Sequence, residues 1–358
     1  MAGFFTSGAV HADCAAPVGI AGEMGFDLTG GGEMEYCDDT NWVSMNNSVA
    51  SADSADLVGH WKLDETSGSS IADSSGNGNT GTWSDGADDD VSGETVSSQI
   101  GTGLNFDGSN DIINAGSDAS IDDIFAGGGT IAAWIYPVGW GENSFGRIVH
   151  KASASNGNNG YIFYVDDNAG TTQDETLGFD HGFASGEEGW SGPSNTITLN
   201  QWNHVAVTYD NSSDSNSPSL YVNGEAITPL TVNNSGTGVA DSDAAQNLFI
   251  GNIGGQTRTF DGIMDDVRFY DGELTAAEVA ALVVCTKPGE VGYDFTTHVL
   301  LWCDANLDAY NAGVAGAGGG GCAAGGALAA GVEGTVQYDT GNDKLVFCDG
   351  ASWVNIPN

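Results

Sequence analysis

The sequence predicts an all-β protein with a large central sandwich and small hairpin modules at its two ends. Short apolar runs separated by Gly, Asn, Asp and Ser fill the middle of the chain. Only one convincing helix start occurs, and all six cysteines lie outside that middle region. Many short strands with frequent turn signals are typical of a two-sheet sandwich.

The cysteines form three neighbouring pairs: Cys14 and Cys37, Cys285 and Cys303, and Cys322 and Cys348. Each pair frames a strand that ends in aromatic-Asp, a polar turn, and a second strand that ends in aromatic-Cys-Asp. This repeated pattern indicates hairpins, and we infer that each pair closes its own. Zinc is disfavoured because no C-x-x-C and no histidine at ligand spacing occur. Disulfides in turn predict an oxidising, extracellular location.

The pattern predicts five segments along the chain. They are an N-terminal hairpin module at residues 1–50, the sandwich at 55–284, a second hairpin at 285–310, a Gly/Ala-rich tract at 311–334 and a third module at 322–358. Glycine and alanine let backbones approach closely, and ordering such a tract needs contacts that offset its entropy. We therefore expect self-assembly, or docking to other subunits of a surface structure.

The charge is strongly negative, with 49 Asp and Glu against 7 Lys and Arg and a formal net charge of −42. Nucleic acid is excluded as a partner because phosphate backbones are bound mainly by Lys and Arg. Clustered carboxylates favour divalent cations such as Ca²⁺, and solubility is the alternative reason for such a charge.

The chain shows no sign of a membrane span and no ordinary export signal. No run of about 18 apolar residues occurs, so no membrane span is predicted. Residues 1–12 lack the basic start of a secretory signal. A virion protein released by lysis would need no such signal, so a virion surface or a cell-surface appendage is the expected location.

Individual strands and one helix can be predicted from local patterns. Thr275 and Glu278 form a capping box that predicts a short helix over residues 276–283. The apolar residue Trp134 is assigned to the core. The clearest strand runs cover residues 104–106, 130–136, 161–165, 203–209, 219–222 and 247–251.

The middle of the chain resembles the laminin-G-like, concanavalin A-like jelly rolls. Seven segments that occur in the family's order carry the likeness, at residues 57–65, 73–78, 104–111, 130–134, 201–209, 220–224 and 260–270. The resemblance implies two packed antiparallel sheets, and it implies that His204 is an interior or sheet-packing residue. It also implies a structural Ca²⁺ site formed by Asp73, Asn77 and Asp265, although residues 73–78 could instead be only an Asx-rich turn. The terminal modules resemble a short Cys-to-Cys-Asp-x-x-x-Trp repeat of environmental bacterial and phage proteins. The second copy departs from that repeat at residues 306–308.

Catalysis is not expected. Glycan-cleaving jelly rolls need paired carboxylates, typically as Glu-x-Asp-x-Glu, and no Glu-x-Asp occurs here. No G-x-S-x-G elbow supports a Ser-His-Asp triad. A glucanase-like enzyme remains an alternative only if carboxylates distant in sequence converge.

Glycan binding is possible if aromatic rings are exposed beside polar groups. The candidates are Trp140, Phe179, His181 and Trp190, because they lie in Gly-rich stretches, and core packing is the alternative for each. The leading hypothesis is therefore a non-enzymatic, Ca²⁺-bearing surface protein of a virion or appendage. The runner-up is a secreted carbohydrate-binding or adhesion module that acts alone.

Overall fold

The computed structural model describes residues 57–86, 89–167 and 175–284, together with short backbone strands within residues 24–44 and 291–355. The chain divides into two compact units. One comprises residues 52–286, and the other comprises residues 1–51 with 287–358.

The strands outside residues 52–286 form three small antiparallel sheets of three strands each. In the first sheet, Cys37 pairs with Trp42, and in the last sheet Cys348 pairs with Trp353. In the middle sheet Cys303 pairs with Ala309, where the sequence repeat also departs from its pattern. The inferred disulfides involve Cys14, Cys285 and Cys322, which lie outside the described residues. The strands of the first sheet are β1 Met24–Asp27, β2 Glu33–Cys37 and β3 Trp42–Ser44.

The sandwich unit contains seventeen strands and one α-helix, together with single turns of 3-10 helix at Val91–Gly93 and Glu142–Ser144. In chain order, the strands are β4 Leu57–Trp61, β5 Ser70–Ile71, β6 Gly81–Ser84, β7 Thr95–Ser97, β8 Thr102–Asp107, β9 Ile112–Gly116, β10 Gly129–Pro137, β11 Phe145–Lys151, β12 Tyr161–Asp166, β13 Thr176–Phe183, β14 Gly186–Ser191, β15 Asn203–Tyr209, β16 Ser219–Val222, β17 Glu225–Ala226, β18 Thr231–Asn234, β19 Leu248–Ile250 and β20 Asp261–Tyr270. The helix is α1 Ala276–Val284. The remaining strands, outside this unit, are β21 Val291–Asp294, β22 Val299–Cys303, β23 Ala309–Val314, β24 Val336–Asp339, β25 Lys344–Cys348 and β26 Trp353–Asn355.

The seventeen strands form two antiparallel sheets, which confirms the predicted all-β jelly-roll sandwich. The eight-stranded sheet has the order β17-β16-β15-β10-β20-β8-β7, with β4 also pairing with β20. The nine-stranded sheet has the order β18-β14-β13-β12-β11-β19-β9-β6-β5. The predicted strand runs correspond to β8, β10, β12, β15, β16 and β19, because apolar alternation is a local property that survives in the fold.

The main core lies between the sheets and follows the two-residue alternation of the strands. Ile131 and Ile135 on β10, and Phe163 and Val165 on β12, belong to one buried cluster and are fully buried. Full burial of each such side chain contributes about 1.5–3 kcal/mol. Residues between them point to the opposite, outer face of their sheet.

The assignment of Trp134 to the buried core is confirmed, and its position in the sheet adds a detail. Trp134 is buried, but it alternates with the core residues Ala133 and Ile135 and therefore lies on the outer face of the eight-stranded sheet. Its ring packs edge-on against His204, with ring centroids 5.1 Å apart. Burial lowers the pKa of His204 to about 3, so the imidazole is neutral and serves as a packing residue, as predicted.

The predicted helix is confirmed and covers part of the same outer face. Its capping box forms in both directions, since the Thr275 backbone N–H donates to Glu278 Oε2 at 2.6 Å and the Glu278 N–H donates to Thr275 Oγ1 at 3.3 Å. Val279 and Leu282 of the helix pack with Ala132 of β10 in a second apolar cluster. The capping residues thus fix where the helix begins on the sheet.

Three of the scarce basic residues are buried in the sandwich. Five of the chain's seven Lys and Arg residues lie in the sandwich unit, and three of these, Arg147, Lys151 and Arg268, are at most 3% exposed. Arg268 Nε contacts Asp266 Oδ2 at 2.9 Å. A buried cation needs oxygen atoms close to it to offset the cost of its desolvation. Arg147 and Lys151 are therefore expected to be surrounded by oxygen acceptors.

Candidate functional site

Three of the four aromatic residues predicted to bind glycans lie in the core. Phe179 and Trp190 pair across β13 and β14, and their rings stack at 6.3 Å between centroids. Both are at most 1% exposed, as is His181. Burial lowers the pKa of His181 to about 4 and keeps it neutral. These three rings present no face to solvent in the described structure, which corresponds to the packing alternative. The fourth candidate, Trp140, is partly exposed and packs against the edge of the core.

Asp73, the first predicted calcium ligand, already uses its carboxylate to hold a turn. Oδ1 accepts hydrogen bonds from the backbone N–H groups of His60 and Ser75, both at 2.9 Å. Oδ2 accepts from Ser75 Oγ at 2.9 Å and from the Asn79 N–H at 2.8 Å. A carboxylate offers about four lone-pair directions, and these four bonds use them. Burial alone would raise the pKa of Asp73, but the backbone hydrogen bonds lower it.

The other two predicted calcium ligands do not converge on Asp73. The Asn77 side-chain amide donates to the Val58 carbonyl oxygen at 3.2 Å, and Asp265 Oδ2 accepts from Ser98 Oγ at 2.7 Å. Strand β4 lies between Asp73 and β20, the strand that carries Asp265. That arrangement separates the two by about two strand spacings, on the order of 10 Å. The described structure therefore does not bring these three side chains together. Calcium binding stays a prediction.

No other metal centre emerges from residues 57–86, 89–167 and 175–284. Within those ranges, no group of three or more His, Cys, Asp or Glu side chains could hold a metal ion. The described helices also include none long and apolar enough to cross a membrane.

A polar cluster on the outer face of the nine-stranded sheet is the best candidate site. We define the Arg147 cluster as Phe145 and Arg147 on β11, Tyr164 on β12 and Asp180 on β13. These strands are neighbours, and Tyr164 and Asp180 each alternate with core residues. The strand period therefore places all four side chains on the face that points away from the core.

The members of the Arg147 cluster contact one another directly. The Arg147 guanidinium carbon lies 4.9 Å from the centroid of the Tyr164 ring and 6.0 Å from that of Phe145. Such distances permit cation–π attraction. The Tyr164 hydroxyl donates to Asp180 Oδ1 at 3.1 Å. A methyl group at Gly178 would overlap the Tyr164 ring, so glycine at this position lets the ring lie close to β13.

Two donors of Arg147 lack acceptors in the described part of the chain. Nη2 donates to the Ser155 carbonyl oxygen at 2.7 Å, whereas Nε and Nη1 are buried and have no hydrogen-bond partner among the described residues. Each buried, unsatisfied donor costs about 1–3 kcal/mol, and more when the group is charged. Unsatisfied donors of this kind are rare in folded proteins and call for an explanation. An oxygen-rich ligand would supply the missing acceptors.

In the Arg147 cluster, the carboxyl group of Asp180 is partly protonated near neutral pH. Burial raises the pKa of Asp180 to about 7, and the nearby carboxylate of Glu187 adds to the increase. Burial also raises the pKa of Tyr164 well above its usual value and lowers that of Arg147. Asp180 can therefore act as either a donor or an acceptor, and Tyr164 stays protonated.

An exposed loop, residues 153–159, lies across this cluster. It is held mainly by side chains of the sheet: Arg147 binds the Ser155 carbonyl oxygen, and His150 Nε2 lies 2.7 Å from the Ala154 carbonyl oxygen. The Gly157 N–H donates to Glu187 Oε2 at 2.8 Å. The loop thus offers carbonyl oxygens to groups that could equally bind the hydroxyl oxygens of a ligand.

Sequence reasoning missed the Arg147 cluster. A weak signal was present, because Arg147 is one of only seven basic residues and stands in the apolar run FGRIVHK. Its proximity to Tyr164 and Asp180 depends on the register of three strands, and a single strand's sequence does not reveal that register.

The fold agrees with the comparisons. Residues 107–280 match the sequence profile of the concanavalin A-like lectin/glucanases superfamily. This part of the chain is a concanavalin A-like, laminin-G-like jelly-roll domain. No curated protein matched the sequence.

Several solved structures are similar to this chain at low sequence identity. The binding domain of Paraclostridial Mosquitocidal Protein 1 is 15% identical, with a TM-score of 0.50 over 85% of this chain and 68% of that one. Domain 4 of AbnA, a GH43 extracellular arabinanase from Geobacillus stearothermophilus, solved in complex with arabinotriose, is 19% identical, with a TM-score of 0.40 over 63% and 97% of the two chains. The botulinum neurotoxin serotype D/C binding domain is 15% identical, with a TM-score of 0.46 over 70% and 56%.

Proposed function

We propose that this chain is a non-enzymatic extracellular binding protein whose jelly roll recognises a carbohydrate through the Arg147 cluster. The observation that carries the proposal is the pair of buried, unpartnered donors on Arg147, beside the partly exposed ring of Phe145. Sugars present hydroxyl acceptors next to apolar ring faces, which is the combination that these groups complement. The superfamily match supports a lectin-like role for the domain.

Ligand entry requires the loop at residues 153–159 to move. The loop's carbonyl oxygens at Ala154 and Ser155 are hydrogen-bonded to the side chains of His150 and Arg147. Hydroxyl groups of a sugar can take the place of these carbonyl oxygens, so that both side chains keep a hydrogen-bond partner. Exchanging one set of oxygen acceptors for another keeps the desolvation cost small. The free and bound states therefore differ mainly in the position of this loop.

The proposal is tested by screening the full chain against an array of neutral and acidic glycans, followed by calorimetric titration with the strongest binder. Arg147→Met should weaken binding by at least about tenfold, because hydrogen bonds to a charged group contribute about 1.5–3 kcal/mol each. Lys62→Met removes the same charge outside the cluster and should leave the affinity unchanged. Equal losses in both variants would contradict a role for Arg147 in binding.

The same full-length protein can be tested for glucanase activity. The carboxylates of Asp166 and Glu187 both influence the pKa of Asp180, so acidic groups from three strands do converge near the cluster. Paired carboxylates of unequal pKa are what glycoside hydrolysis uses. Turnover of laminarin-type glucans, abolished by Asp180→Asn, would replace the binding proposal with an enzymatic one.

A wider role as a surface protein of a virion or cell appendage is supported by the three small sheets, which repeat one strand arrangement along the chain. Repeated modules suit docking to neighbouring subunits. Light scattering on the full chain tests this role, since a stable monomer at every concentration would contradict self-assembly.

A further inference from the structure

Lys151 occupies a closed site made of oxygen atoms. It is the last residue of β11 and has no exposed surface. Its ammonium nitrogen lies 2.8 Å from Asp122 Oδ1 and 2.7 Å from Asp243 Oδ1. It also donates to the carbonyl oxygens of Asp243 at 2.8 Å and Gln246 at 3.0 Å. Four oxygens from three residues therefore surround one cation.

These oxygens come from two long loops that have little structure of their own. Asp122 precedes β10, and Asp243 and Gln246 precede β19. The loops are also joined by Asp123, whose N–H donates to Asp243 Oδ1 at 3.0 Å and whose Oδ1 accepts from the Asp243 N–H at 2.9 Å. Lys151 thus holds together two segments about 120 residues apart in sequence, as a structural ion would.

The charge balance requires a cation at this point. Burial raises the pKa of Asp243, and Lys151 opposes that rise. Without Lys151, two carboxylates would face each other in a poorly solvated site, which is strongly unfavourable. Mixed carboxylate and carbonyl ligands on flexible loops are the set that Ca²⁺ accepts.

We propose that the Lys151 ammonium serves as an internal cation in place of a structural metal, and that removing it uncovers a Ca²⁺ site. The ammonium contacts at 2.7–3.0 Å exceed typical Ca²⁺–oxygen distances of about 2.3–2.6 Å, so the ligands need to move inward by only a few tenths of an ångström. Water molecules fill the space left by the lysine stem and complete the coordination. The inference is independent of the proposed glycan binding.

The wild-type protein and two variants test the idea. The thermal midpoint of the wild-type sandwich should be the same in calcium and in chelator, which is the opposite of what a structural calcium ion predicts. Lys151→Ala should lower the midpoint in chelator and regain roughly 5–10 °C at a calcium concentration of about one hundred times its Kd. Lys151→Met is the matched control, because it removes the charge but fills the space that the ion needs.

Calorimetric titration with CaCl₂ should reveal one added site in Lys151→Ala, and that site should be lost when Asp122→Asn is introduced as well. A wild-type midpoint that falls in chelator would overturn the proposal. So would an equal calcium response in the alanine and methionine variants, or no response in either. If Lys151→Ala unfolds in chelator, refolding in calcium supports the site, and failure to refold in calcium contradicts it.

Discussion

Replacing Arg147 by methionine separates a binding role from a structural one. The change removes two buried donors that have no acceptor, which relieves about 2–6 kcal/mol at about 1–3 kcal/mol each. It also removes the hydrogen bond to Ser155, worth about 1.5–3 kcal/mol, and the contact with the Tyr164 ring, worth about 0.5–2 kcal/mol. The relief of about 2–6 kcal/mol and the summed loss of about 2–5 kcal/mol nearly cancel at their midpoints. The expected change in the free energy of unfolding therefore lies between a loss of about 3 kcal/mol and a gain of about 4 kcal/mol.

Urea denaturation followed by tryptophan fluorescence measures this change, with Lys62→Met as the charge-matched control. A residue that is kept for binding at the expense of stability should lose ligand affinity without losing fold stability. A loss of more than about 3 kcal/mol in Arg147→Met would refute the reasoning. It would mean that the guanidinium finds acceptors in the folded protein and holds the sheet together.

Three further predictions concern stability. Gly178→Ala should destabilise the sandwich by about 1–3 kcal/mol, because the added methyl group would overlap the Tyr164 ring. The control Gly93→Ala adds a methyl group in open space and should have little effect. Equal urea midpoints for the two variants would contradict this prediction. Burial raises the pKa of Asp265 to about 8, so below that pH the folded state keeps a proton that the unfolded state has released, and stability should fall as pH rises towards 8 and level off above it. Asp265→Asn should flatten that slope in urea titrations at each pH, and an unchanged slope would exclude Asp265 as its source. Thr275→Ala should cost about 1 kcal/mol through loss of the helix cap, measured by thermal unfolding, and an unchanged midpoint would mean that the cap contributes nothing.

Features that depend on neighbouring residues could be predicted from the sequence. The strand at residues 203–209 and the helix after Thr275 follow from alternation and capping, which act over a few residues. Trp134 was correctly predicted to be buried, but its sequence context did not show on which face of the sheet it lies. Alternation shows which residues share a face, and it does not show which face a helix or loop will cover.

The candidate site could not be predicted in the same way. Phe179 and Trp190 stood among glycines and therefore resembled loop residues, yet those glycines lie on paired strands. Gly178 makes room for the Tyr164 ring and Gly189 for the Asp180 carboxylate. In this sheet, glycine signals close packing of a neighbouring side chain and not a turn. Only the register of β12, β13 and β14 distinguishes the two.

The burial of Arg147, Lys151 and Arg268 has a consequence for contacts between copies of the chain. With three of its few cations enclosed, the sandwich presents a surface dominated by carboxylates. Two copies that approach each other therefore repel over a distance set by the ionic strength, about 10 Å at 0.1 M salt. Self-association of this domain should therefore strengthen as salt is added, and densely packed assemblies of it should form most readily at high salt concentration.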